Sequence, residues 1–167
     1  MKKLILILLL LPVIGFSQDL KMTPEGYSPI VILMPGKTAH QLYERAKNWA
    51  NSYFESPNEA IKVDVPGKTL RVSCYSPSFA NAGKKIIYDA YYNIRLDFKD
   101  GKYRITFIPG DIYNPVVGRV AFVPSMYYSA GQVKNKKWAE FLKSYDTSAN
   151  AMVKRVEAAM KINNDNW

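Results

Sequence analysis

Apolar and polar residues alternate along the middle of the chain, at about 61–65, 69–75, 85–99 and 102–108. In the longest of these segments one side consists of Tyr92, Ile94, Leu96 and Phe98. The other side consists of Asn93, Arg95, Asp97 and Lys99. Because successive side chains of a strand point to opposite faces, this pattern predicts an antiparallel sheet with one apolar and one polar face.

The turn between the last two segments is Asp100-Gly101, a strong signal for a two-residue hairpin. A type I′ turn here makes Lys99 face Lys102 and sets every further pair. The expected apolar pairs are Phe98 with Tyr103, Leu96 with Ile105 and Ile94 with Phe107. The expected polar pairs are Asp97 with Arg104 and Arg95 with Thr106. Turn chemistry and hydrophobic pattern therefore predict the same register.

Two segments have helical periodicity instead. The first follows Thr38 and Gln41, which have the spacing of a capping box, and its apolar positions are Leu42, Ala46, Trp49 and Tyr53. The second covers about 135–162 and carries one apolar stripe. With the apolar run that begins at Val31, the element order is β-α-β-β-β-β-α. We predict an α+β fold with both helices on the apolar face of the sheet.

The first seventeen residues have the pattern of a signal peptide. Lys2 and Lys3 precede an apolar run from Leu4 to Phe16, and small residues at Gly15 and Ser17 predict a cut between Ser17 and Gln18. The run is shorter than the ~20 residues that span a bilayer, and no second run follows. We therefore expect a periplasmic or secreted protein without a transmembrane segment after signal removal. Its parts are an N-terminal extension at 18–28, one domain at 29–162 and a C-terminal tail at 163–167.

The tetrapeptide Pro-Gly-Lys-Thr at 35–38 resembles the end of a nucleotide-binding P-loop. That loop requires a glycine five positions before Gly36, where this chain has Val31. The same tetrapeptide recurs at 66–69 between two predicted strands, where it is a turn. We therefore expect both copies to form turns and neither to bind a nucleotide.

Basic residues exceed acidic ones, 23 Lys and Arg against 14 Asp and Glu, so the formal net charge is +9. Such a surface attracts phosphate backbones. On the polar face of the sheet, however, charges alternate in sign, whereas a minor-groove reader needs a continuous basic and apolar face. Together with export, this pattern predicts no nucleic-acid partner.

Catalytic chemistry has little support in the composition. His40 is the only histidine, and Cys74, the only cysteine, lies in an alternating strand pattern that predicts a buried thiol. No metal-binding motif occurs. We predict no catalytic, cofactor or metal residues and, first, a non-enzymatic envelope binding module. The alternatives are a structural or assembly domain of an envelope complex and, third, an envelope-polymer enzyme that uses paired acids.

The candidate binding segment is the long connection at 109–133, since such connections either hide another element or carry function. Residues 120–123 are consistent with a short strand. The candidate binding residues are Tyr113, Met126, Tyr127 and Tyr128. They either contact an envelope polymer or protein, or close the open end of the core.

The stretches LYERAKNWANSYFESPNEAIKV and YYNIRLDFKDGKYRITF resemble a bacterial family of domains of unknown function with a TATA-binding-protein (TBP)-like fold. The shared features are Tyr43 and Trp49 on the first helix, residues 58–61 before the second strand, and the hairpin from Lys99 to Arg104. The resemblance covers about residues 38–108. It implies a TBP-like fold in an exported protein and supplies no catalytic residues.

Overall fold

The computed structural model describes residues 19–83 and 86–162. The predicted signal peptide and the tail at 163–167 lie outside the described residues. The strands are β1 (Ile30–Leu33), β2 (Ile61–Val65), β3 (Thr69–Ala82), β4 (Ile86–Lys99), β5 (Lys102–Asn114), β6 (Gly118–Ala121), β7 (Tyr128–Ser129) and β8 (Gln132–Val133). The helices are α1 (Ala39–Tyr53), the one-turn α2 (Pro57–Ala60) and α3 (Lys136–Lys161), with a 3₁₀ turn at Pro124–Tyr127.

The main sheet is antiparallel and has the strand order β1-β5-β4-β3-β2. The short β6 also pairs with β5, at the end opposite to β1. Strands β7 and β8 form a separate two-stranded sheet. The predicted α+β architecture, an antiparallel sheet with helices on its apolar face, is confirmed.

The hairpin of β4 and β5 has the predicted register. Leu96 lies opposite Ile105, and Asp97 lies opposite Arg104. The remaining predicted pairs are also present: Lys99 with Lys102, Phe98 with Tyr103, Arg95 with Thr106, and Ile94 with Phe107. Leu96 and Ile105 are each 1% exposed, so the apolar side of the ladder is core.

Strands β3 and β5 are longer than the sequence predicted. The alternation predicts strands that end at residues 75 and 108, whereas the strands continue to Ala82 and Asn114. Each contains a β-bulge, between Ser76 and Ala80 in β3 and between Pro109 and Ile112 in β5. A bulge inserts unpaired residues and breaks the two-residue period, which is why the alternation ends there. Similarly, the short strand expected at 120–123 is found at Gly118–Ala121.

Helices α1 and α3 cover the apolar face of the sheet. The Thr38 hydroxyl accepts from the Gln41 N–H, and the Gln41 side chain accepts from the Thr38 N–H, so the predicted capping box is present. Leu42, Phe141 and Tyr145 are fully buried in the common core. None of the described helices combines the length and apolar character that crossing a membrane requires.

Both Pro-Gly-Lys-Thr segments are turns, with Gly36 and Gly67 at φ 77° and 68°. The first turn contacts the tip of the β4–β5 hairpin, where the Gly101 N–H donates to the Lys37 carbonyl over 2.8 Å. The Asp100 carboxylate also accepts the first N–H of α1, from Ala39, over 2.7 Å. The first copy of the tetrapeptide therefore positions the hairpin and the start of α1.

The segment predicted as an N-terminal extension is packed onto α3. Leu20, Met22 and Tyr27 are buried. Asn150 bonds both backbone groups of Leu20, accepting from its N–H over 2.6 Å and donating to its carbonyl over 2.8 Å. Asp146 Oδ1 accepts from the Met22 N–H over 3.0 Å and from the Tyr27 hydroxyl over 2.7 Å. Leu20, Met22 and Tyr27 thus belong to the core of the domain.

Candidate functional site on the open sheet face

The face of the sheet opposite the helices is exposed; we call it the open face. It carries the odd-numbered residues of β4 from Ile87 to Lys99 and the residues paired with them. Large side chains are exposed on it, including Tyr75 at 51% and Tyr113 at 38%. The open face is therefore the part of the sheet that is accessible to a ligand.

One end of the open face holds a group that we call the tyrosine cluster: Tyr75, Asp89, Tyr91, Asp111, Tyr113 and Arg119. Tyr75 and Tyr91 lie opposite each other on β3 and β4, with ring centroids 4.9 Å apart. The Tyr75 hydroxyl donates to Asp89 Oδ2 over 2.6 Å. These contacts fix the orientation of the two rings.

The rest of the tyrosine cluster comes from β5 and β6. Tyr113 pairs with Asp89 on one side and with Arg119 on the other. The Arg119 guanidinium lies 4.1 Å from the centroid of the Tyr91 ring and donates to Asp111 Oδ2 over 2.7 Å. Strand β6 therefore brings a cation onto an aromatic ring, a favourable arrangement for both.

The two bulges lie beside this cluster. In β3, Ser78 has a positive φ of 52°, and its N–H donates to Asp89 Oδ1 over 2.9 Å. In β5, Gly110 passes so close to β4 that a Cβ there would lie 2.6 Å from the Tyr91 carbonyl oxygen. Bulges commonly re-aim side chains near functional sites. Here they flank residues 89–91 of β4 from both sides.

Hydrogen bonds within the cluster shift the pKa values of Asp89 and Tyr75. The Tyr75 hydroxyl and the Ser78 N–H both stabilise the charged form of Asp89, so its pKa lies below the ordinary value. The same bond to Asp89 raises the pKa of Tyr75 to about 12. At neutral pH Asp89 is therefore an ionised acceptor and Tyr75 a protonated donor.

A second feature lies toward the other end of the open face, which we call the arginine depression. It has a volume of about 270 Å³ and is lined by Val63, Val65, Thr69, Arg71 and Arg95. Arg71 and Arg95 are directly opposite each other on β3 and β4. Two guanidinium groups therefore share one small site.

Asp97 neutralises only part of this charge. Its carboxylate accepts from Arg95 Nε over 2.9 Å, from Arg104 over 2.8 Å and from the Thr69 hydroxyl over 2.8 Å. Burial favours protonation of Asp97, but these three bonds outweigh it and lower its pKa. Arg71 Nε, in contrast, is shielded from solvent and has no hydrogen-bond partner among the described residues.

The four residues predicted as a binding site do not form one surface. Tyr113 is on the open face, within the tyrosine cluster. Tyr127 lies on the helical side, and its ring packs against Phe122, Trp138 and Phe141 at centroid distances of 5.2, 4.8 and 5.5 Å.

The other two residues have separate surroundings. The Tyr128 hydroxyl donates to the Met22 carbonyl over 2.7 Å and so ties β7 to the N-terminal segment. Met126 is 63% exposed. Of the two interpretations that the sequence left open, the packing of Tyr127 and Tyr128 favours closure of the core.

The sequence reasoning missed Tyr75, Asp89, Tyr91, Asp111 and Arg119. Tyr75 and Tyr91 do occupy polar-face positions of their strands, which was a usable signal. Pro77 and Gly110 within strand-like segments were a second signal, because both residues mark bulges.

Two residues considered for catalysis lie away from the open face. Cys74 is buried, as predicted, and burial raises the pKa of its thiol to about 12. His40 is exposed on α1, with Nε2 3.7 Å from a Glu44 carboxylate oxygen. Over residues 19–83 and 86–162, no group of three or more His, Cys, Asp or Glu side chains is arranged to hold a metal ion.

Comparison with known proteins confirms the TBP-like fold predicted from the sequence. Residues 30–108 match the model of a domain of unknown function with TBP-like fold, DUF4468. A DUF4468 family protein from Bacteroides ovatus aligns with a TM-score of 0.64 and 13% identity, over 86% of this chain and 91% of that chain. A TBP-like protein from Parabacteroides distasonis aligns with a TM-score of 0.59 and 16% identity, over 80% and 91%. No curated protein matches the sequence.

Proposed function

We propose that this chain, whose residues 30–108 match the model of DUF4468, a domain of unknown function with TBP-like fold, is an exported, non-enzymatic binding module of the cell envelope. Its ligand contacts the open face of the sheet. The observation that carries the proposal is the tyrosine cluster, in which the exposed Tyr75 ring packs on Tyr91 and is fixed by its hydrogen bond to Asp89, while Arg119 holds the Tyr91 ring from the other side. Preorganised aromatic groups bind a ligand with little loss of conformational entropy.

The charge states in the tyrosine cluster support binding rather than proton transfer. A general acid or base needs a pKa near the working pH. The pKa of Asp89 is instead lowered and that of Tyr75 is raised to about 12, so neither group changes protonation near neutral pH. Arg119 is paired with Asp111. These groups are suited to accept and donate hydrogen bonds to a ligand.

The export part of the proposal rests on residues 1–17. Their charged start, apolar run and small residues before the expected cut are typical of a signal peptide. A mature protein that begins near Gln18 would enter the envelope with the open face available. Partners there are polymers or proteins of the envelope.

An assembly role is the second candidate, and β1 favours it. This four-residue strand lies at the sheet edge and, within residues 19–83 and 86–162, pairs with β5 alone. Val31 and Leu33 are 57% and 54% exposed. An open strand edge with apolar side chains can accept a strand from another chain. In that case the contact would lie on β1 rather than on the tyrosine cluster.

Co-sedimentation of the purified protein with an isolated envelope fraction tests the proposal. The double variant Tyr75→Ala/Tyr113→Ala removes two exposed rings and should lose most of the retention while keeping its thermal midpoint within a few degrees. Tyr53→Ala is the matched control, because Tyr53 is 39% exposed but lies on α1. It should be retained like the unmodified protein.

Two results would contradict the binding module. Retention of the double variant at the unmodified level would exclude the tyrosine cluster as the contact. Loss of retention in Val31→Lys, with the double variant unaffected, would favour the assembly role at β1.

A further inference from the structure

We propose that the arginine depression binds the carboxylate of an acidic polysaccharide, so that the ligand of the open face is a uronate-containing polymer. This inference rests on the proposed function and names the class of its ligand. The arginine depression carries an unbalanced positive charge. Arg71 and Arg95 are directly opposite each other, and like charges at opposite positions of a strand pair are destabilising.

Asp97 pairs with Arg95, but no carboxylate of the described residues pairs with Arg71. Asp97 bonds Arg95 and Arg104, whereas Arg71 forms no ion pair or side-chain hydrogen bond within the described residues. Its shielded Nε is an unsatisfied donor, which is costly unless a ligand supplies the acceptor. The missing partner is therefore an anion placed in the depression.

The shape of the site favours a carboxylate on an organic ligand. A planar carboxylate matches the donor fork of a guanidinium in a bidentate pair. Val63 and Val65 line the same depression, so the atoms beside the carboxylate contact apolar side chains. The Thr69 hydroxyl, bonded to Asp97, supplies a further polar group at the edge.

The surface between the two features favours a sugar polymer over a protein. Ser73 and Asn93 lie opposite each other there, and Thr106 lies opposite Arg95. Ile108, opposite Asn93 on β5, is the apolar residue among them, so the middle of the open face is mostly polar. A protein interface usually has an apolar, charge-depleted centre. Sugar hydroxyls instead pair well with amides, hydroxyls and the ionised Asp89.

The spacing also fits a ligand with several units. Arg71 and Tyr75 are on the same face of β3, four residues apart, which is about 13 Å along a strand. One unit would place its carboxylate in the arginine depression while another stacks on the tyrosine cluster. The two features would then act as subsites of one extended site.

The experiment measures binding of the purified protein to polygalacturonate, with dextran as the neutral polymer. Polyglutamate and a DNA duplex are the other polyanions. We expect binding to polygalacturonate and none to dextran. Arg71→Gln and the more exposed Arg95→Gln should each weaken it about tenfold, as expected for a lost charge-assisted hydrogen bond. Arg155→Gln removes one positive charge from α3 and should leave binding unchanged.

Four results would overturn the inference: no binding to polygalacturonate, tighter binding to polyglutamate, tighter binding to DNA, or an equal effect of Arg155→Gln. The envelope assay separates this inference from the proposed function. Retention that needs Tyr75 and Tyr113 but is neither reduced in Arg71→Gln nor competed by polygalacturonate would leave the binding module standing and exclude the acidic polysaccharide. Should Arg71→Gln not fold, Arg95→Gln alone decides the comparison.

Discussion

Gly110 of β5 approaches the backbone of Tyr91 on β4 so closely that a single added carbon at Gly110 would lie 2.6 Å from the Tyr91 carbonyl oxygen. The neighbouring atom is backbone, so it cannot rotate away. This contact explains why a glycine occupies the bulge beside the tyrosine cluster.

Gly110→Ala should therefore destabilise the protein. We expect a loss of about 1–3 kcal/mol in the free energy of unfolding, the usual cost of forcing extra atoms into a packed site. Urea denaturation measures it. Gly118→Asn is the control, because nothing lies within 4 Å of a Cβ there and asparagine tolerates its φ of 77°. Equal stability of both variants would argue against the close approach.

The stability of the β4–β5 hairpin should depend mainly on its apolar side chains. Leu96→Ala is expected to lower the free energy of unfolding by about 2–5 kcal/mol, since Leu96 is 1% exposed in the core. Arg104→Ala, on the open face, should cost at most about 1 kcal/mol because its side chain is half exposed. Urea denaturation measures both variants. A larger loss of unfolding free energy for Arg104→Ala than for Leu96→Ala would contradict the view that the apolar side stabilises the hairpin.

Tyr127 should behave as a core residue. Its ring packs against three aromatic side chains on the helical side, so Tyr127→Ala should cost about 3 kcal/mol, at the low end for a large aromatic deletion. Met126→Ala, one position away at an exposed site, should change the thermal midpoint little. An unchanged midpoint in Tyr127→Ala would restore Tyr127 as a binding residue.

Asp146 predicts a pH effect on stability. Burial raises its pKa above the ordinary value, although bonds from the Tyr27 hydroxyl and the Met22 N–H oppose this. The native state thus holds this proton more tightly than the unfolded chain does. The contribution of Asp146 is therefore present below its ordinary pKa and is lost as the pH rises through the folded-state pKa.

Asp146→Asn should remove that loss while keeping Oδ1, which accepts both bonds. We expect stability at pH 7 equal to or above that of the unmodified protein, and a flatter pH dependence above pH 4. Asp146→Ala leaves two donors unpaired and should cost about 1–3 kcal/mol per donor. Thermal midpoints at several pH values measure both variants. A strongly destabilised Asp146→Asn variant at pH 7 would contradict a raised pKa of Asp146 in the folded state.

Export predicts a defined start of the mature protein. The intact mass of protein isolated from the periplasm or medium should correspond to a chain that begins at Gln18. A mass that retains residues 1–17 would show that this segment is not removed.

The sequence by itself determined the elements whose signals are local. The β4–β5 register follows from Asp100-Gly101 and the alternation on either side of it, and the start of α1 follows from Thr38 and Gln41. These signals act between residues close in the chain. They also agree with one another, which is why the fold class and the hairpin could be predicted.

Only the tertiary structure decided where the candidate site lies. The bulges at residues 77–79 and around Gly110 shift the alternation, so counting by twos no longer tells which face a side chain occupies. Arg119 reaches Tyr91 only because β6 folds back along β5. Tyr113 and Tyr127 come from one connection, yet they lie on opposite sides of the sheet, because packing around Phe122 holds the second against α3. Such placements depend on contacts between distant parts of the chain, which no local pattern encodes.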